Sequence, residues 1–118
     1  MLNNATCFDK IILITGYSDL RKGIDGLAGL IKYKYNLDPF EKDVLYLFCG
    51  RNSRKLKGLV WEGDGFLLLA KRLEANGRFQ WPRKAEEAMN LSQEQFDWLM
   101  KGLAVVPGIR PITRKLIF

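Results

Sequence analysis

Hydrophobic and polar positions along this chain switch between a strand period and a helix period. IILITG (11–16) is a short β-branched run closed by a glycine, which predicts a strand. Ile24, Leu27, Ala28, Ile31 and Tyr35 then recur at helical spacing and form one apolar stripe. Ser18 or Asp19 is placed to cap that helix, and LDPF (37–40) to end it, because Pro39 biases Asp38 away from helical backbone. VLYLFC (44–49) predicts a buried strand, GRNSR (50–54) a loop and KLKGLVWE (55–62) a second strand. GDG (63–65) is a turn signal before a third strand, FLLLAKRLE (66–74). ANG (75–77) turns the chain into RFQW (78–81), a short strand stopped by Pro82. LSQEQFDWLMKGL (91–103) is the clearest helix: Ser92 and Gln95 have capping-box spacing, and Phe96, Leu99, Met100 and Leu103 make its apolar face.

These elements predict an α+β fold, a small antiparallel β-sheet meander packed with an N-terminal helix and a C-terminal helix. Residues 1–105 are expected to form a single domain, and 106–118 a basic, extended tail. Strands 44–49 and 66–70 are apolar on both faces, so the sheet must be covered on both sides. Helix 21–35 covers one side; the C-terminal helix, or a second copy of the chain, covers the other. Glycines at 23, 26 and 29 follow one flank of the first helix. Their spacing is not that of a phosphate loop, and the expectation is close packing of that flank against a neighbour.

Composition narrows the chemistry. The 118 residues suit one core. With no histidine and only two cysteines, a Ser-His or Cys-His nucleophile is excluded, as is a four-ligand Cys/His zinc site from one chain. No cofactor is implied. No apolar run approaches the roughly 18 residues of a membrane span, and MLNNATCFDK does not read as a signal peptide. A cytoplasmic location is expected, with Cys7 and Cys49 as buried thiols rather than a disulfide.

Nineteen basic and thirteen acidic residues give a net charge of +6, and the excess is clustered. Residues 50–61 carry four cations and no acid, and 71–84 carry five cations against Glu74 alone. Clustered positive charge suits a polyanion, most often nucleic acid; the competing reading is a solubility charge. Arg51, Arg54, Lys55 and Lys57 in the hairpin GRNSRKLK have donors suited to phosphate oxygens, and Arg51 and Arg54 could also reach a guanine edge. Arg21 and Lys22 are expected in the first turn of the first helix, where cations oppose the helix dipole; that placement points to use of their charge against phosphate, with simple solvation as the competing reading. Lys71 and Arg72 extend the basic set. Trp61, Phe66, Phe79 and Trp81 are suited to base stacking, but core filling is the stronger expectation. Glu62 and Asp64 read as turn residues rather than catalytic carboxylates.

Four stretches in order complete the picture: DLRKGIDGLAGLI, LDPF, LYLFCGRNSRKLKGLVWEGDGFLLLAKRLEANGRFQWP and LSQEQFDWLMKGL, from about Asp19 to Leu103. Together they resemble the TnpB-type accessory proteins of the bacterial insertion-sequence family numbered sixty-six. The resemblance implies a non-catalytic protein that assists transposition beside a separate, larger transposase carrying the acidic catalytic residues. DNA and that transposase are then the expected partners, with a homo-oligomer open. Direct DNA binding is one mode of action; recruiting or organising the transposase without touching DNA is the other.

Overall fold

The computed structural model describes residues 7–83 and 87–103. The expected tail, 106–118, lies outside them, as does the domain boundary at 105. Among the described residues, five strands form one sheet in the order β4-β3-β2-β1-β5. They are β1 (Lys10–Ile14), β2 (Val44–Cys49), β3 (Lys55–Trp61), β4 (Phe66–Arg72) and β5 (Ala88–Leu91). The helices are α1 (Ile24–Gly29), which continues into a π-helical turn (Leu30–Lys34), and α2 (Gln93–Met100). This is the expected α+β fold, mostly antiparallel, and β2-β3-β4 is the expected meander.

The meander is not the whole sheet. β1 runs parallel to β2, with Lys10 opposite Val44 and Leu13 opposite Leu47. Parallel neighbours need a long crossover, and residues 15–43 with α1 supply it. β5 then pairs antiparallel on the outer side of β1. AMNL has no β-branched residue and reads poorly as a strand. Its pairing is a response to the free edge of β1. RFQW, conversely, forms no strand: Phe79 and Trp81 are buried in the core, and the Phe79 N–H donates to the Ser53 carbonyl at 2.7 Å.

β2 is central and all six of its residues are buried. Its alternation feeds two cores. Tyr46 and Phe48 meet Ile12, Leu27, Ile31 and Leu59 under α1. Leu45, Leu47 and Cys49 meet Ile11, Leu56, Phe79, Trp81, Phe96 and Leu99 under α2. The C-terminal helix therefore covers the second face, and Ser92 and Gln95 close its capping box with bonds of 3.0 and 2.9 Å. Gly58 on β3 makes room there: a Cβ would sit 2.9 Å from Leu45 Cδ1.

The first helix starts later than its sequence pattern predicts. The Ser18 N–H donates to the Cys49 carbonyl at 2.8 Å, and the Asp19 carboxylate accepts the Arg21 N–H at 3.0 Å in a local turn. Gly23 is extended and serves as the N-cap without a side-chain bond. Arg21 and Lys22 therefore precede the helix instead of occupying its first turn. The helix ends before Pro39, at Asn36 in the left-handed region (φ 56°). The glycine flank also differs from expectation. Among the described residues, a Cβ on Gly23 or Gly29 would meet nothing within 4 Å, and one on Gly26 would crowd only Lys22.

Candidate nucleic-acid interface

The β2–β3 tip is a tight loop lashed to the body of the domain. The Gly50 N–H donates to the Lys55 carbonyl and the Ser53 N–H to the Gly50 carbonyl, each at 3.0 Å. Asn52 Oδ1 accepts the Arg54 N–H at 3.0 Å. Ser53 is buried with φ 61°, and its hydroxyl lies 3.3 Å from the Tyr17 hydroxyl. Its carbonyl accepts from Phe79 on the other side. The uncharged pair within the basic hairpin thus builds the tip and anchors it.

Two clefts flank this anchored tip. The larger, about 720 Å³, lies between it and residues 17–21. Arg21, Arg51, Lys55 and Lys57 all line it, and among the described residues Asp19 is its one acidic residue. The smaller, about 330 Å³, is lined by Arg51, Arg78 and Arg83 with the Phe79–Trp81 segment. Arg51 stands on the ridge between them. The Arg83 guanidinium lies 5.9 Å from the centre of the Tyr17 ring, within reach of a cation–π contact.

The cations of the larger cleft are not equivalent. The side chains of Arg51 and Lys55 are exposed and make no ion pair among the described residues. Lys57 donates its Nζ to the Leu20 carbonyl at 2.7 Å, so it ties the 17–21 loop to the sheet. Arg21 is held in a two-pronged pair with Asp19, Nε to Oδ1 and Nη2 to Oδ2, both at 2.9 Å. That guanidinium draws the Asp19 carboxyl down to about 2.

The remaining sequence candidates are distributed elsewhere. Arg54 folds back toward the Leu73 carbonyl at 3.4 Å, and its Nε is buried without a partner among the described residues. Arg72 sits directly opposite Lys55 across β3 and β4 but pairs with Glu74 at 2.9 Å. Lys71 is opposite Leu56, on the α2 side of the sheet and away from the larger cleft. Lys22 is exposed outside the cleft lining. Arg78 and Arg83 are the additions. Their charge is visible in the basic run 71–84, but only folding brings them beside the hairpin tip.

Of the two cysteines, Cys49 is buried and Cys7 is exposed, which corrects the expectation of two buried thiols. Phe79 and Trp81 are core residues, whereas Trp61 and Phe66 are half-buried in an aromatic trio with Phe40. Among the described residues no three His, Cys, Asp or Glu side chains converge as a metal site, and no helix is long and apolar enough to cross a membrane.

The family model described as IS66 Orf2 like protein matches residues 9–107, from the start of the sheet through α2. The chain belongs to the IS66 Orf2-like family. This makes it an insertion-sequence accessory protein. Two relatives from Sinorhizobium fredii (strain NBRC 101917 / NGR234) are the uncharacterized proteins y4jC and y4hO. They are 32% and 33% identical over 94 residues, covering 80% of this chain and 79% and 80% of theirs. No solved structure matches. In this IS66 Orf2-like protein the matched region contains the whole sheet, the anchored hairpin and both clefts.

Proposed function

We propose that this IS66 Orf2-like protein is a non-catalytic, cytoplasmic accessory that assists transposition by binding DNA through the hairpin cleft. One observation carries the reading: residues distant in sequence, Arg21 and the Arg51–Lys57 hairpin, meet in one cleft with two of its cations free. Arginine and lysine in such a groove suit phosphate oxygens, which position a duplex without reading its bases. The anchored tip supports that mode. A β-ribbon that reads the major groove must enter it, whereas this tip is held down by Ser53 on both sides.

Binding of purified protein to labelled duplex carrying the element's terminal repeats, against scrambled duplex and across a salt series, tests this. The expected result is affinity that falls steeply with salt and little preference for the repeats. Arg51→Ala with Lys55→Ala should remove about two phosphate contacts and flatten the log–log salt slope by about 1.8. Absence of binding at low salt sinks the reading. Exposed Tyr33 and Phe40, at 77% and 51%, favour a second one, in which the protein recruits the separate transposase. Co-purification with the transposase and no DNA affinity is its signature.

A further inference from the structure

The sheet has two unlike edges. β5 is four residues long, a short edge that offers little to a passing strand. β4 is seven residues long and pairs with β3 through seven consecutive residues without a bulge or proline. No strand among the described residues covers its other side. Leu67, Leu68 and Leu69 are only half-buried there, two on the α2 face and Leu68 on the α1 face. Long apolar edges are normally blunted by proline, bulges or inward charge. Within β4 the only charges are its last two residues, Lys71 and Arg72.

β4 is also chemically bipolar. At its start, Phe66 joins Phe40 and Trp61 with ring centroids 4.9 to 5.3 Å apart, just after a turn that exposes Glu62 and Asp64. Its end presents Lys71 and Arg72, with Glu74 drawn onto Arg72. One end is aromatic and acidic, and the other is cationic.

We propose that β4 pairs antiparallel with β4 of a second copy, centred on Leu69 opposite Leu69, so that two sheets become one. In that register Phe66 faces Arg72, Leu67 faces Lys71 and Leu68 faces Ala70. All seven residues find partners, and every side chain meets a neighbour on its own face of the pleat. Like charges, which destabilise when directly opposite, are kept apart at the two ends. Each Arg72 instead meets the aromatic end of the other copy, where a guanidinium is attracted to a ring face. The twofold axis is perpendicular to the sheet, so both hairpin clefts open on the same side. The pairing itself does not depend on what those clefts bind; if they hold DNA, the dimer engages it bivalently.

Sedimentation of the full chain over a protein concentration series, with Leu69→Lys and Leu69→Glu, tests the pairing. Wild type should run at twice the 13.6 kDa chain mass. Each variant should be monomeric with wild-type circular dichroism. An equimolar mixture should recover the dimer, because the introduced ammonium then faces the introduced carboxylate. A wild type that stays monomeric, a dimer that survives both substitutions, or a mixture that stays monomeric overturns the proposal. Hydrogen exchange needs no variant: β4 amides should become more protected as protein concentration rises. Protection independent of concentration would mean that the chain's own residues, or nothing, cover this edge.

Discussion

Trp81 donates its indole N–H to the carbonyl of Ile14 at 2.8 Å, a buried bond that joins residues 67 positions apart. It pins the segment after the hairpin beneath the end of β1. The Gly16 N–H, which donates to the Pro82 carbonyl at 2.8 Å, continues the same join. This seam closes the α2 side of the sheet and holds the wall of the smaller cleft.

Trp81→Phe keeps most of the apolar surface but removes that donor. Losing a buried hydrogen-bond partner costs about 1–3 kcal/mol, and urea unfolding should show a loss of that size. An unchanged midpoint would mean that the bond contributes nothing net.

Gly58→Val should destabilise by about 1–3 kcal/mol through overpacking. The added Cβ would meet Leu45 Cδ1 at 2.9 Å and Leu47 Cδ2 at 3.6 Å, both inside the α2-side core. Gly58→Ala should cost less. Thermal melts of the two variants check the order, and a stabilised valine variant would contradict this packing.

The two thiols should differ in reactivity. Burial pushes the Cys49 thiol up to about 12, so it carries almost no thiolate at neutral pH. Cys7 is exposed. A chromogenic disulfide reagent should titrate one thiol per native chain and two after denaturation. Rapid reaction of both in the native protein would place Cys49 nearer solvent than the structure does.

Asp19 should titrate at about 2, well below the ordinary carboxylate range, because Arg21 bonds its charged form with two guanidinium nitrogens and the backbone N–H. The pairing is complete above the ordinary carboxylate pKa and is lost as pH falls through about 2. Carboxyl-carbon NMR of the wild type should give that midpoint, and Arg21→Ala should raise it. A wild-type midpoint near 3.8 would show the pair absent in solution.

Local chemistry made part of this protein legible. Ser92 and Gln95 form the capping box that their spacing announces, since both bonds lie within four residues. The three strands of the meander alternate with turn residues at the right places, and Gly63 takes the positive φ (97°) that the GDG turn suggests. The start of the first helix was not legible, because Ser18 in the loop after β1 bonds to Cys49 on β2 instead of capping. Nor was β5, whose residues pair because β1 has a free edge. At the candidate interface, the basic hairpin could be read directly. The separation of free Lys55 from tethered Lys57 could not, because the partner of Lys57 is the Leu20 carbonyl, 37 residues away.

By itself the sequence determined the α+β class, the positions of its central strands, the need to cover both faces of β2 and the charge of the hairpin. These follow from periodicity, turn chemistry and formal charge, which act over a few residues. Tertiary structure decided the parallel β1–β2 pairing, the β4 edge and which cations share a cleft. Each depends on backbone and side-chain groups far apart in the chain, whose hydrogen bonds exist only once the sheet has formed.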